Sequence, residues 1–154
     1  MLKSPRHEGR GREVRETAVK ERAHTARERL KAAGLRPTRQ RLALAELLFA
    51  GPERHVTAEQ LHGEAARAGV RVSLATVYNT LHQFTQARLL RELVVEAGCS
   101  YFDTNTKHHH HFFFERSGRL KDVPGHAVEV RSLPEAPNGT RVARVDVIIR
   151  LSED

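Results

Sequence analysis

Glycine punctuates the first half of this chain so regularly that few architectures can follow from it. Gly34, the Gly51-Pro52 pair and Gly69 each close a stretch with helical spacing. The first stretch runs from Glu13 to Ala33 and is polar, with Val14, Ala18 and Leu30 as its few apolar contacts. The second, PTRQRLALAELLFAG, repeats apolar residues at Leu42, Ala45, Leu48 and Phe49. The third, TAEQLHGEAARAG, opens on Thr57 with Gln60 three residues later, the spacing of a capping box, and offers Leu61, Ala65 and Ala68 as a buried stripe. A fourth, SLATVYNTLHQFTQA, starts at Ser73, a good N-cap, and sets Leu74, Val77, Leu81 and Phe84 on one face. LLRELVVEAGCSYFDT then reads as two strands around a turn at Glu96-Ala97-Gly98.

Three helices followed by a hairpin make a winged helix-turn-helix, in which the last helix enters the major groove of DNA with its N-terminal half. At that exposed start, Thr76 and Asn79 suit hydrogen bonds to base edges or phosphates. Tyr78 suits stacking on a sugar or contact with a thymine methyl. Charge points the same way. Residues 1–41 hold 13 Lys+Arg against 5 Asp+Glu, whereas the rest of the chain holds 13 against 14. A basic arm on a near-neutral body fits a polyanion partner through counterion release. Residues 1–12, rich in Gly, Arg and Pro, read as disordered.

Beyond Thr104 the texture changes. His108 to Phe114 is strand-like, Ser117-Gly118 makes a turn, and Leu120 to Val123 returns. A short helix is expected around His126 to Leu133, then a loop marked by Pro134, Pro137 and Asn138-Gly139. RVARVDVIIRL closes the chain as an alternating strand with Val145, Val147, Ile149 and Leu151 on one face. About fifty residues bury too little core to stand alone, so this second unit is expected to pair with another copy. The fold class is α+β: residues 1–24 a basic extension, 25–104 a winged-helix DNA-binding domain, and 105–154 a small α/β dimerisation and ligand-sensing domain.

The run TKHHHHFFFE carries the chemistry. On a strand, His108 and His110 point one way, and His109 and His111 the other. Imidazoles two residues apart can share one metal ion, completed by Asp103, Asp122, Glu129 or His55. Such a His/carboxylate set suits zinc, manganese or ferrous iron. Imidazole is also an axial ligand for haem, and Phe112, Phe113 and Phe114 offer an apolar porphyrin surface. His24, His62, His82 and His126 read as surface residues rather than ligands. With Cys99 as the only cysteine, no internal disulfide and no multi-thiolate site can form, which suits a reducing cytoplasm. No apolar run approaches membrane-spanning length, so no membrane partner is expected. Neither a phosphate-binding glycine loop, nor a nucleophile elbow, nor a helical His-Glu-x-x-His is present, so an enzyme is not expected.

GLRPTRQRL, HVTAEQL, VSLATVYNTL and YFDTNTKHHHH, in this order and spacing, resemble the ferric uptake regulator (Fur) superfamily, and within it most closely the iron response regulator (Irr) subfamily. The likeness covers about Gly34 to Leu151. It implies a cytoplasmic dimer, or a higher oligomer, that binds operator DNA and controls iron and haem metabolism as a repressor. The DNA-reading positions would be Arg36 in the minor groove, Arg41 on a phosphate, and Ser73, Thr76, Tyr78 and Asn79 at the recognition helix. Asn79 stands where ferrous-iron sensors often carry Arg, which implies a different operator. The family's regulatory metal site, which joins the two domains, corresponds to His55, Asp103, His110 and Asp122, with Phe112 replacing its second histidine. Its other site corresponds to His109, His111 and Glu129. Phe114 and Ser117 replace structural zinc cysteines, so a structural zinc held by four cysteines is not expected. In Irr-like proteins such a histidine run is associated with haem. The resemblance therefore implies haem at His108 to His111, supplied by a haem-delivering protein, that weakens DNA binding. The alternative is a manganese- or ferrous-iron-dependent repressor.

Overall fold

The computed structural model describes residues 8–153. They form α1 (Glu8–Ala32), α2 (Arg39–Phe49), β1 (His55–Val56), α3 (Ala58–Arg67), α4 (Leu74–Gln86), β2 (Arg91–Glu96), β3 (Cys99–Asp103), β4 (His109–Phe114), β5 (Arg119–Pro124) and β6 (Ile148–Leu151), with one 3-10 turn at Gly125–Ala127. The chain divides into two units. One runs up to Val94 and includes Gly98–Thr106; the other takes Val95–Ala97 and everything from Lys107.

In the first unit the helix starts are written locally. Thr38, Thr57 and Ser73 sit in extended backbone and accept from the N–H three residues on. Thr57 and Gln60 complete the capping box. The helices bury Leu30, Leu44, Leu48, Leu61, Val77, Leu81 and Phe84 around Val56 and Phe102. Each such large side chain contributes about 1.5–3 kcal/mol. β2 and β3 form the expected hairpin, and β1 adds a third, antiparallel strand through His55↔Asp103 and Val56↔Phe102. At two residues, β1 is too short to show alternation in sequence.

Three expectations shift here. Expected disorder at residues 1–12 falls partly on 1–7, outside the described residues. Residues 8–12 instead begin α1, because adding residues to an existing helix costs little once its packed end is formed. Val14 is exposed, and the helix docks through Ala26 and Leu30 nearer its end. Ala68 is exposed too, since it caps α3 rather than continuing its buried stripe.

In the second unit β4 is the central strand, antiparallel to β5 and parallel to β6. Phe113, Leu120 and Val123 are buried in it, beside His109, His110 and His111. The expected helix at 126–133 is only the turn Gly125–Ala127, after which residues 128–140 lack regular structure apart from a turn at Asn138-Gly139. Val128, Val130 and Pro134 disfavour helix there. The closing strand is also shorter than its alternation suggests. Val147 N donates to the His110 side chain (3.1 Å) rather than to a backbone carbonyl of β4, so regular pairing begins at Ile148.

Candidate DNA interface and metal centre

The start of α4 is exposed at Ser73, Ala75 and Asn79 and half-buried at Thr76 and Tyr78. Ser73 Oγ accepts from Thr76 N (3.1 Å) and lies 2.9 Å from Thr76 Oγ1, so capping organises both hydroxyls. A groove of about 870 Å³ runs beside this helix start, lined by Gln40, Gly69, Arg71, Ser73 and Thr76 among others. Arg71 and Gln40 line this groove and were not among the residues expected from sequence. The available signal was a base two residues before an N-cap, where backbone N–H groups already favour anions.

Tyr78 is held from two sides. Its hydroxyl donates to Glu59 Oε1 at 2.8 Å, and its ring stacks on His82 with centroids 6.4 Å apart. The hydrogen bond from Tyr78 holds the Glu59 carboxyl below its ordinary range, and the same bond raises the Tyr78 phenol.

Arg41, expected on a phosphate, is engaged within the protein. Its Nε and Nη2 donate to Gln83 Oε1 (3.1 and 2.9 Å), and its Nη1 donates to the Arg36 carbonyl (2.9 Å). These bonds tie α2 to α4 and to the loop that carries Arg36. Arg36 itself is exposed. His62 is also more than a surface residue, because its Nε2 donates to the Val72 carbonyl (3.1 Å), which steadies the approach to Ser73.

Metal-type donors gather within each unit. In the first, β1–β3 pairing sets His55 Nε2 3.3 Å from the buried Asp103 Oδ2. In the second, β4–β5 register places Asp122 opposite His111, and its Oδ1 lies 3.4 Å from His109 Nε2 and 3.6 Å from His111 Nε2. Two donors bound tetrahedrally to one zinc-sized ion at ~2.0–2.1 Å stand about 3.3–3.4 Å apart. These spacings therefore fit ligand edges better than strong hydrogen bonds. Tautomers agree. His109 Nδ1 lies 2.6 Å from the Lys107 carbonyl, which can only accept. The proton is on Nδ1, so in the neutral ring the lone pair lies on Nε2, the nitrogen nearer Asp122.

The remaining two histidines occupy the other face, as alternation requires: the His108 and His110 rings meet edge to face at 5.0 Å. His110 Nδ1 accepts from Val147 N, which leaves its proton on Nε2 and removes it from the donor set. His109 and His111, expected in the family's other site, are thus the histidines beside Asp122, where His110 was expected. Glu129 is also displaced: it is exposed on irregular backbone and pairs with Arg131 (3.4 Å), while Asp122 occupies the position beside His109 and His111.

The model of the ferric uptake regulator family matches residues 32–150. This chain belongs to that family. Among curated Fur-family relatives, the ferric uptake regulation protein of Vibrio anguillarum is 38% identical over 79 residues, 51% of this chain and 53% of that protein. The Escherichia coli K12 protein gives the same identity and coverage. The match thus spans about half the length of the curated relatives. Among solved Fur structures, that from Pseudomonas aeruginosa with manganese has a TM-score of 0.64 at 24% identity, covering 83% of this chain and 97% of its own. The Vibrio cholerae regulator also reaches 0.64 at 24% identity, covering 82% and 98%. These show a shared α+β Fur fold, with a winged-helix half followed by a smaller C-terminal half. Among the described residues of this Fur-family chain, no helix is long and apolar enough to cross a membrane.

Proposed function

We propose that this chain is a cytoplasmic, metal-responsive regulator that binds operator DNA as a dimer and represses transcription. The observation that carries it is the convergence of His109 Nε2, His111 Nε2 and Asp122 Oδ1, with His109 oriented by the Lys107 carbonyl. These three would hold a divalent ion such as zinc, manganese or ferrous iron, and the resemblance assigns His55 and Asp103 to regulatory metal binding as well. A bound ion supplies fixed positive charge that neutralises the carboxylates and rigidifies the strands carrying them. The DNA-reading set is Arg36, Ser73, Thr76, Tyr78 and Asn79, with Arg41 supporting Arg36. Exposed Val130, Leu133 and Val142 support burial of the C-terminal unit against a second copy.

Burial favours a bare ion over haem. His109, His110 and His111 are 4%, 3% and 0% exposed, which leaves no open face for a porphyrin above them, and only His108 is accessible. The experiment is equilibrium binding to a duplex selected by the protein from a randomised library, with manganese, zinc, chelator or haem added. Metal should tighten binding at least about tenfold, and His109→Ala with His111→Ala should abolish that response. Affinity indifferent to metal and chelator would overturn the metal reading. A Soret shift lost in His108→Ala, with weakened DNA binding, would restore the Irr-like haem reading.

A further inference from the structure

We infer that Glu59 is a specificity-determining residue of the DNA interface: it holds the hydroxyl proton of Tyr78, so Tyr78 meets DNA as an apolar face and hydrogen-bond acceptor, not as a donor. This rests on the DNA-binding reading above and deepens it by naming what the recognition helix selects against.

A phenol has one proton to donate, and an ionised carboxylate can only accept. With Tyr78 Oη 2.8 Å from Glu59 Oε1, that proton is committed. Glu59 lies in the first turn of α3, where the helix dipole favours its charge. The opposite directions in which the pair's two groups titrate keep the proton on Tyr78 at neutral pH. Nor can the ring readily swing away, because it stacks on His82 and packs against the hydrophobic core.

What DNA offers a reader here is unequal. Phosphate oxygens, guanine N7 and O6, adenine N7 and thymine O4 are all acceptors. Only adenine N6 and cytosine N4 present protons in the major groove, and thymine adds a methyl. A Tyr78 whose proton is committed gains nothing from phosphates or a guanine edge, and the neighbouring carboxylate repels both. The same pair accepts from adenine or cytosine, and the ring can cover a thymine methyl. Glu59 thus lowers affinity for DNA in general while raising discrimination. A purely structural bond between α3 and α4 would leave discrimination untouched.

The test uses the full chain with manganese present. The parent protein first selects its strongest site from a randomised duplex library. Affinities for that duplex and a scrambled one are then measured for parent, Glu59→Ala, Tyr78→Phe and the double variant. Glu59→Ala should bind the scrambled duplex more tightly and lower the selected-to-scrambled ratio about tenfold, within the range for one lost base contact. In the Tyr78→Phe background, where no proton remains to be held, the same substitution should change the ratio by less than about threefold. An unchanged ratio in Glu59→Ala, or an equal effect in both backgrounds, overturns the inference while leaving DNA binding intact. Failure of the parent to select any sequence sinks the DNA-binding reading itself, and the inference with it.

Discussion

Arg54 and Glu64 meet through two parallel hydrogen bonds, with Nη1 to Oε2 at 2.9 Å, in a setting where each side chain is about a third exposed or less. The hydrogen bond from Arg54 holds the Glu64 carboxyl below its ordinary range. A depressed folded-state value means the contribution is fully present above the unfolded carboxylate range and is lost as pH falls through the lowered one. Glu64→Gln should therefore cost about 1–2 kcal/mol at neutral pH and nothing in strong acid. Chemical denaturation at pH 7 and pH 2.5 measures that difference directly; equal costs at both would contradict it. Arg41 gives a second residue-level prediction. Cutting its clamp with Gln83→Ala should weaken DNA binding about 5-fold, the equivalent of ~1 kcal/mol, without altering the salt slope. A slope smaller by about one in Arg41→Ala, with Gln83→Ala leaving it unchanged, would mark Arg41 as a phosphate contact in its own right. For the histidines, sequence showed that two faces exist but not which one carries the donors. That choice depends on Asp122 standing opposite His111, a register set by the turn at Ser117-Gly118 and by pairing along the whole hairpin.

Three helices end in the same way. After α1, α3 and α4, a residue in left-handed backbone is followed by an N–H that reaches five residues back: Leu35 to Leu30, Val70 to Ala65, and Leu89 to Phe84. Gly34 and Gly69 take the left-handed position in two of them, but Arg88 takes it in the third, at φ 61°. An L side chain there costs about 1–2 kcal/mol, of which a glycine returns only part because it also frees the unfolded chain. Arg88→Gly should therefore raise stability by about 0.5–1 kcal/mol, seen as a higher thermal midpoint; a lower midpoint would show that the arginine side chain matters more than its backbone. The same contrast explains how legible the fold was. The caps at Thr57 and Ser73, the stops at Gly34 and Gly69 and the β2–β3 turn are local, and sequence displayed them. β1 was hidden because two residues carry no period. Residues 141–147 alternate like a strand, yet Val147 N is diverted to His110, a choice made by a residue thirty-seven positions away.

At the scale of the molecule, the two units are unequally equipped to hold themselves together. The winged-helix unit closes around a continuous apolar core, whereas the C-terminal unit buries few large apolar side chains, chiefly Phe113, Leu120 and Val123, and spends comparable interior on three histidines. Buried imidazoles facing a carboxylate stabilise little unless something draws their lone pairs together. A metal ion does that, and its binding energy then becomes folding energy for the strands that carry the donors. Free ion at a hundred times its dissociation constant adds about 2.7 kcal/mol to the state that binds it. The expectation is therefore local. Adding zinc or manganese should slow hydrogen exchange across β4 and β5 by about a hundredfold, while amides of α2 and α4 in the first unit's core change little. Asp122→Asn keeps the side chain's shape but removes the charge that balances the ion, so it should lose most of this protection without unfolding α4. Exchange in β4 that ignores metal in the parent protein would mean that the His109, His111 and Asp122 cluster is structural packing, and that any metal response of DNA binding arises elsewhere.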